Sequence, residues 1–302
     1  MTLPISVIIC SHNPRTEYLT RALTALRGQT LSQDLWELLL IDNASREPLA
    51  SSFDLKWHVH GRHVREEQLG LTPARLRGIK EADSAVLVFV DDDNVLDSDY
   101  LEVVMRLSAD WPILGAWGGQ IRPEFEVPPP DWTRSYWNLL AIRELSEDRW
   151  SNLVDQNETT PCGAGLCVRH EVADHYSRIV AGDRRRLDLD RKGGALSSCG
   201  DTDLAFVACD MGFGTGLFVA LRMTHLIPAT RLEEAYLLRL VREIASSGSL
   251  LKAIRGNKPI EPGRSHRAFQ KYVRWRLDPR NRRFYDAKES GKAAALKEIA
   301  SW

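Results

Sequence analysis

The feature that most constrains the fold is an alternation of short apolar runs with helical patterns in the N-terminal third of the chain. The apolar runs are LPISVIIC, WELLLI and SAVLVFV, and they are rich in the branched aliphatic residues typical of buried strands. Between them lie TEYLTRALTALRGQT and LTPARLRGIKEA, in which apolar residues recur at helical spacing. Strands that alternate with helices predict a mostly parallel sheet covered on both faces, and therefore an α/β fold.

Polar residues stand directly after each of these predicted strands. Open α/β sheets bind their ligands outside the carboxyl ends of the strands, so these positions are candidates for a binding site. They are Ser11, His12, Asp42, Asn43, Asp91, Asp92 and Asp93. The order of strands and helices thus predicts one ligand site, located at one edge of the sheet.

The three consecutive aspartates need a specific explanation, because each carboxylate raises the cost of ionising its neighbours. A Mg²⁺ or Mn²⁺ ion among them would offset the repulsion, since both cations prefer hard oxygen ligands. Such a cation favours an anionic substrate, and a nucleotide diphosphate suits it because the cation neutralises charge that grows on the leaving group. The alternative is a polar turn that caps the following helix, DSDYLEVVMRL.

Composition narrows the class of protein. The chain has 302 residues, a net charge of −1 and 27% charged residues, which disfavours both disorder and bulk nucleic-acid binding. Its five cysteines show no paired CxxC spacing, which indicates a reducing compartment rather than a zinc site. The N-terminus lacks the pattern of an export signal, and no window approaches 18 consecutive apolar residues. We therefore expect a cytoplasmic protein without a spanning helix.

The rest of the chain mixes irregular and regular patterns. The proline run and aromatic residues of GQIRPEFEVPPPDWTRSYWNLL predict a long irregular loop or subdomain. PCGAGLCVRHEVADHY predicts a glycine turn, a short strand and a helix, and GDTDLAFVACDMGFG predicts an acidic turn that opens a helix. TGLFVALRMTHLIP predicts a strand that ends near His225, and the chain from ATRLEEAY onward is helical and increasingly basic.

Six segments in this order resemble the inverting glycosyltransferases of family 2, which have the GT-A fold. They are PISVIICSHN, LLLIDNAS, QLGLTPARLRGIKEA, VFVDDDN, GAGLCVRHEVA and GDTDLAF. The resemblance covers roughly residues 4–230 and implies the α/β GT-A nucleotide-diphospho-sugar transferase fold, with a Rossmann-like, mixed and mostly parallel sheet. It implies a catalytic domain at 1–230, with a nucleotide-binding half at about 1–110 and an acceptor half at about 111–230. A helical, basic C-terminal extension follows at 231–302.

The resemblance also implies a donor-binding site for a nucleotide diphosphate sugar. Ser11 and His12 match positions that line the nucleobase pocket. Asp42 is assigned to the same site, and Asn43 stands where the family commonly has an Asp that reads the base. Arg75 matches an Arg that contacts the nucleotide, and its planar fork of donors suits phosphate or a base edge. The alternative for Arg75 is a solvated charge on a helix.

A divalent cation, Mn²⁺ or Mg²⁺, is implied next to the acidic triplet. The family pattern puts Asp93 on the metal and Asp92 near the ribose, with Asp91 as the first member of a DxD motif and a further candidate ligand. His225 resembles a histidine that closes the metal or pyrophosphate site in some relatives. The alternative for His225 is a structural histidine.

Inversion by direct displacement needs a general base that takes the proton of the acceptor hydroxyl. Asp201 matches the catalytic Asp of the family, whereas Gly200 stands where the family commonly has Glu. Asp203 would orient a neighbour or contact the acceptor. The alternative for both aspartates is an N-terminal helix cap.

The acceptor side carries fewer signals. Gly163 and Gly165 allow a backbone turn with close ligand approach, which is where the family often lines the acceptor cleft. Trp132 lies in the irregular middle segment, where an aromatic face could pack on a sugar ring, although such residues are more often part of the core.

The C-terminal segment has a charge of its own. Residues 246–302 contain fourteen Lys and Arg against five Asp and Glu, and RSHRAFQKYVRWRLDPRNRRF interleaves the basic residues with aromatic ones. A helix of this kind could lie against anionic lipid and would suit a lipid-linked acceptor. The alternatives are a helix packed on the catalytic domain with a solvated basic face, and nucleic-acid binding, for which no recognised motif is present.

Together these patterns predict a metal-dependent, inverting glycosyltransferase of the hexosyltransferase type in polysaccharide or glycan assembly. Its partners would be a nucleotide diphosphate sugar and a sugar or glycan acceptor, and its location the cytoplasm, with peripheral contact at the inner face of the membrane left open. One alternative is a nucleotide-sugar or carbohydrate-binding protein that has lost catalysis, as Gly200 and Asn43 hint. Another is a sugar nucleotidylyltransferase, which we expect to carry a glycine-rich, basic loop after the first strand; CSHNPRTEY has no glycine.

Overall fold

The computed structural model describes residues 3–156, 158–257 and 263–302. The described residues form nine strands and eight α-helices. The strands are β1 (Ile5–Ser11), β2 (Trp36–Asn43), β3 (Gly61–Glu66), β4 (Val86–Asp91), β5 (Asn94–Leu96), β6 (Leu114–Phe125), β7 (Arg149–Ser151), β8 (Leu166–Arg169) and β9 (Gly214–Ile227). The helices are α1 (Thr16–Arg27), α2 (Leu71–Glu81), α3 (Tyr100–Asp110), α4 (His170–Gly182), α5 (Gly200–Asp210), α6 (Glu234–Ile254), α7 (Arg264–Arg276) and α8 (Pro279–Ile299).

The nine strands form one mixed sheet. Its order is β3-β2-β1-β4-β8-β6-β9-β5, and β7 pairs with β9 at the side of this path. The first four strands pair in parallel, β8 runs antiparallel to both β4 and β6, and β6 and β9 are again parallel. The predicted α/β fold with its Rossmann-like N-terminal half is confirmed.

The register of the central strands brings their polar ends together. Ser11 at the end of β1 pairs with Asp42 of β2, and Cys10 pairs with Asp91 of β4. Strand β1 is buried on both faces, and each fully buried aliphatic side chain contributes about 1.5–3 kcal/mol to stability. Helix α2 approaches β1 closely because Gly78 has no side chain; a Cβ there would lie 2.5 Å from Ile8.

The middle segment is more regular than the sequence predicts. Strand β6 continues to Phe125 and therefore includes the beginning of GQIRPEFEVPPP, which we expected to be irregular. After a shift in register at Gly119, this part pairs with β9 from Arg222 to Ile227. The proline run masks the strand signal, and the irregular region reduces to the segment around residues 126–130 and the 3-10 helix Asp131–Leu140.

The C-terminal helices share an apolar cluster with the middle segment. Helix α8 packs on α6, where the absence of a side chain at Gly291 allows close approach to the carbonyl of Arg242. The ring of Phe284 on α8 stacks on Tyr136, with centroids 4.1 Å apart. This cluster contains residues from both sides of position 230, so the two predicted parts are packed together there. Their division into 1–230 and 231–302 remains a prediction.

Helix α7 exposes large aromatic side chains. Phe269, Tyr272 and Trp275 are 61%, 54% and 71% exposed. An ion pair between Arg274 and Asp286, 2.7 Å long, connects α7 to α8. Among the described helices, none has the length and apolar character needed to cross a bilayer.

Candidate active site

A cleft of about 870 Å³ opens at the carboxyl ends of β1, β2 and β4. It collects most of the residues that the sequence analysis assigned to a site. These are Ser11, His12, Asn43, Arg75, Asp91, Asp92, Asp93, Gly163, Asp201 and His225. The carboxylates after β4 and the carboxylate of Asp201 on α5 therefore face the same space, although they are far apart in the sequence.

Asp93 is the most strongly held carboxylate of the triplet. Its Oδ2 lies 3.3 Å from Nε2 of His225 and 2.9 Å from a guanidinium nitrogen of Arg231. His225 donates from Nδ1 to the carbonyl of Leu140 at 2.9 Å, and its Nε2, on the side of Asp93, accepts from Nη1 of Arg231 at 2.9 Å. Burial acts to raise the pKa of Asp93, but His225 and Arg231 outweigh burial and hold that pKa well below its usual value.

The two other aspartates of the triplet have raised pKa values. Burial, with a further contribution from Asp93, raises the pKa of Asp92 to about 7 although Ser11 donates a hydrogen bond of 2.5 Å to it. Burial and Asp93 likewise raise the pKa of Asp91, and the facing Arg75 partly opposes them. The triplet is thus electrostatically unequal, with its negative charge concentrated on Asp93.

A divalent cation is compatible with this donor set. Two neighbouring ligands of an octahedral ion with bonds of about 2.1 Å lie about 3 Å apart. The 3.3 Å between Asp93 Oδ2 and His225 Nε2 is close to that separation. In the described part of the chain, no group of three or more His, Cys, Asp and Glu side chains is placed to hold a metal. The residues present therefore fit a cation held jointly by the protein and a diphosphate, with Arg231 moved away from the two ligand atoms.

Asp201 is fixed by two backbone hydrogen bonds. Gly163 donates to its Oδ2 at 2.6 Å, and Thr202 donates to its Oδ1 at 2.7 Å. Asp201 lies in the first turn of α5 and lines the cleft. Its carboxylate is consequently held in one orientation while remaining next to the space that a substrate would occupy.

Arg75 is buried at the centre of several carboxylates. Its Nη1 donates to Asp190 at 2.6 Å, and its Nη2 lies 2.3 Å from the position that a Cβ of Gly163 would occupy. Burial acts to lower the pKa of Arg75, but the facing carboxylates of Asp190, Asp201 and Asp91 raise it above its usual value. Arg75 is therefore not the solvated helix charge that the sequence left open.

His12 and Asn43 shape the opposite side of the cleft. Nδ1 of His12 donates to the carbonyl of Asn43 at 2.7 Å. The side chain of Asn43 accepts from the N–H of Gly70 at 2.8 Å and donates to the carbonyl of Gln68 at 2.8 Å. The amide of Asn43 thus contacts the backbone of the loop before α2, and its base-reading role stays a prediction.

Four of the assigned residues lie outside the lining of the cleft. They are Asp42, Gly165, Asp203 and Trp132. Asp42 accepts hydrogen bonds from the backbone of the following turn and pairs with Arg65 at 2.8 Å, so it stabilises that turn.

The three assigned acceptor residues of this group have structural contacts instead. Asp203 is fully buried and pairs with Arg186 and Arg255. Gly165 has a φ of +70°, and a Cβ there would meet the hydroxyl of Tyr100 at 2.5 Å. The ring of Trp132 lies 6.1 Å from the ring of Phe284 and 4.7 Å from the guanidinium of Arg280, and both of these residues belong to α8. Their side chains or backbone contact the protein itself and lie outside the lining of the cleft, and the acceptor roles of these three residues stay predictions.

The structure adds two residues that the sequence analysis did not single out. Asp190 lies in the segment before α5 and pairs with Arg75. Arg231 lies in a short 3-10 helix after β9 and pairs with Asp93. The segment of Asp190 has no clear period. Arg231 lies at the start of the segment predicted to be helical, and the only signal for its role in the site is its position shortly after His225.

This mixed sheet, with an acidic strand end and a helix-borne carboxylate facing one cleft, is that of a GT-A glycosyltransferase. The family model described as "Glycosyl transferase family 2" matches residues 6–176, which is more than half of the chain. The chain belongs to glycosyltransferase family 2.

Curated relatives match over limited segments. Glycosyltransferase AglE of Haloferax volcanii is 32% identical over 105 residues, which are 33% of this chain and 34% of AglE. The putative glycosyltransferase EpsH of Bacillus subtilis is 27% identical over 111 residues, which are 36% of this chain and 31% of EpsH. The matches thus span about a third of the length of these relatives.

Solved structures confirm the fold over the whole chain. The mannosyltransferase PcManGT from Pyrobaculum calidifontis, in complex with GDP-Man and Mn²⁺, has a TM-score of 0.58 at 17% identity. That likeness covers 100% of this chain and 76% of PcManGT. S. aureus TarS 1-349, in complex with UDP-GlcNAc, has a TM-score of 0.56 at 11% identity, over 99% of this chain and 83% of that one.

Proposed function

We propose that this family 2 glycosyltransferase moves a hexose from a nucleotide diphosphate donor to an acceptor hydroxyl, with inversion and with the help of Mn²⁺ or Mg²⁺. The observation that carries the proposal is the convergence of Asp93 and Asp201 in one cleft. Asp93 offers an anionic, hydrogen-bonded group to a cation, and Asp201 offers a fixed carboxylate to a hydroxyl.

Asp201 acts as the general base of this proposal. A single displacement at the anomeric carbon needs a group that takes the hydroxyl proton as the bond forms. The hydrogen bonds from Gly163 and Thr202 hold the carboxylate, so its orientation is prepared before the substrate binds. No covalent enzyme intermediate is needed, and no nucleophile is assigned.

Asp93, His225 and Arg231 act on the diphosphate. Asp93 and His225 would hold the cation, which when bound neutralises the charge on the departing diphosphate. Arg231 has a planar fork of donors that suits phosphate oxygens. Its contact with Asp93 places the guanidinium within the cleft, from where it would turn towards the donor.

Comparison with related structures supports a nucleotide-sugar donor. PcManGT is in complex with GDP-Man and Mn²⁺, and TarS is in complex with UDP-GlcNAc.

We further propose that the acceptor is a glycan of polysaccharide assembly, presented on a lipid carrier at the cytoplasmic face of a membrane. The support is the exposed face of α7, where Phe269, Tyr272 and Trp275 lie among basic residues. Aromatic and basic side chains on one helix favour the interface of an anionic membrane.

The experiment that tests the proposal is release of free nucleoside diphosphate from a panel of nucleotide sugars. Wild type, Asp93→Ala and the control Asp110→Ala, which changes an exposed carboxylate on α3, are assayed with Mn²⁺, Mg²⁺ or chelator. We expect metal-dependent release from one donor, retained in the control and lost in Asp93→Ala. An unchanged metal requirement in Asp93→Ala would refute the assignment of Asp93. Tight binding of a donor without release, in the presence of acceptor glycans, would favour a binding protein instead.

A further inference from the structure

The absence of a side chain at Gly200 is explained by the carboxylate of Asp190. A Cβ at Gly200 would lie 2.2 Å from Oδ2 of Asp190 and 2.6 Å from its Cγ, which is closer than non-bonded contacts of real Cβ atoms. The next nearest atom, Oγ1 of Thr72, would be 3.2 Å away. Gly200 does not have a positive φ, so its backbone conformation does not require glycine. Space is what excludes a side chain at position 200, and Asp190 takes up that space.

Asp190 is connected to the proposed base through Arg75. The carboxylate of Asp190 is 3% exposed and accepts a hydrogen bond of 2.6 Å from Nη1 of Arg75. The other guanidinium nitrogen, Nη2, lies against Gly163, whose N–H donates to Asp201. Asp190, Arg75 and Gly163 thus form a continuous set of contacts that ends at the carboxylate of Asp201.

We propose that Asp190 positions Asp201 by holding Arg75 against Gly163, and that its carboxylate fills the space that a side chain at position 200 would otherwise occupy. The inference rests on the proposed function only in assigning Asp201 as the base. Without an anion at this place, the guanidinium of Arg75 would be shared between fewer carboxylates and would turn towards Asp201. The acceptor hydroxyl would then compete with Arg75 for the base.

The test is to move the carboxylate from position 190 to position 200. The variants are Asp190→Ala, Gly200→Glu and the double variant with both changes, with Asp190→Ala/Gly200→Gln as a control of equal size without charge. We expect each single variant to lower the midpoint of thermal unfolding by roughly 10 °C, because one removes the hydrogen-bonded partner of the buried Arg75 and the other forces a clash with Asp190. We expect kcat to fall at least tenfold in both single variants while the KM for the donor changes little.

The double variant with Glu should regain most of the midpoint and most of kcat, whereas the Gln control should regain neither. The inference would be overturned if the double variant with Glu lost as much unfolding midpoint and kcat as the two single variants combined. It would also be overturned if the Gln control regained as much of both quantities as the variant with Glu. Asp190→Asn keeps the shape of the side chain and should lose kcat with a smaller change in unfolding midpoint; unchanged kcat would count against positioning. Thermal unfolding is measured without substrate. The midpoints therefore test whether a carboxylate at position 200 substitutes for that of Asp190, even if the wild type transfers no sugar.

Discussion

Replacing Asp201 by Asn removes the proposed base while keeping its shape, and replacing Asp203 by Asn is the matched control two residues later. Both aspartates lie in the first turn of α5, but only Asp201 lines the cleft. The two carboxylates of Asp201 and Asp203 have different partners, so the two changes should affect different quantities.

The contacts set the size of each effect. Asn at position 201 keeps one acceptor oxygen where two backbone N–H groups now donate, which costs about 1–3 kcal/mol of stability. Removal of a general base lowers transfer by about 10²- to 10⁴-fold, equal to roughly 3–5 kcal/mol of activation free energy. Asn at position 203 leaves two arginines, Arg186 and Arg255, facing a neutral amide in a buried place and should cost about 3 kcal/mol of stability.

The assay pairs urea unfolding with kcat for the donor that shows release of nucleoside diphosphate. We expect Asp201→Asn to be modestly destabilised and to lose at least 99% of kcat. We expect Asp203→Asn to unfold at lower urea and to keep kcat within about threefold per folded molecule, because Asp203 is away from the cleft. Asp201→Asn with more than a tenth of wild-type kcat would refute the role of Asp201. An equal loss of kcat in both variants would show that the turn acts as a unit.

Two further predictions concern parts of the chain away from the base. Burial and the nearby His60 lower the pKa of His58 to about 4 from 6.5, so the unfolded chain binds more protons between these values. The His58 contribution to the free energy of unfolding should therefore be fully present above about pH 7.5, and the free energy should fall by about 3 kcal/mol as the pH drops to 4. His58→Asn, which retains an acceptor for the N–H of His60, should flatten that slope in urea titrations; an unchanged slope would exclude His58 as its source. On α7, joint replacement of Phe269, Tyr272 and Trp275 by Ser should reduce sedimentation of the protein with phosphatidylserine vesicles at least tenfold. The midpoint of unfolding should not change, because these side chains are exposed. Equal binding by wild type and variant would refute a membrane role for this face.

The N-terminal half of the fold was predictable because its signals are local. Apolar runs that end in polar residues identify β1, β2 and β4, and the parallel order then brings Ser11, Asn43 and Asp93 to one edge. This part of the site could be predicted from the residue types at the strand ends alone, without knowledge of any contact between residues far apart in the sequence. The strand part of GQIRPEF was missed because its pairing partner, β9, lies about a hundred residues later.

The remaining site residues depend on contacts that no local pattern encodes. Asp190 and Arg75 are 115 residues apart, and Asp190 has no periodic neighbourhood that would predict a buried ion pair. The different fates of Asp201 and Asp203 follow from helix geometry, since residues two apart point to nearly opposite sides. The ion pairs of Asp203 with Arg186 and Arg255, which hold it away from the cleft, join residues that no local pattern brings together.

The stacking of Phe284 on Tyr136 makes α8 a support for the wall of the cleft. Tyr136 belongs to the 3-10 helix that ends at Leu140, and the carbonyl of Leu140 holds His225. A nonsense codon shortly before position 284 would leave every residue that we propose to touch the donor encoded in the gene. Such an allele should nevertheless behave as a loss-of-function allele, because the segment that it removes keeps His225 in place.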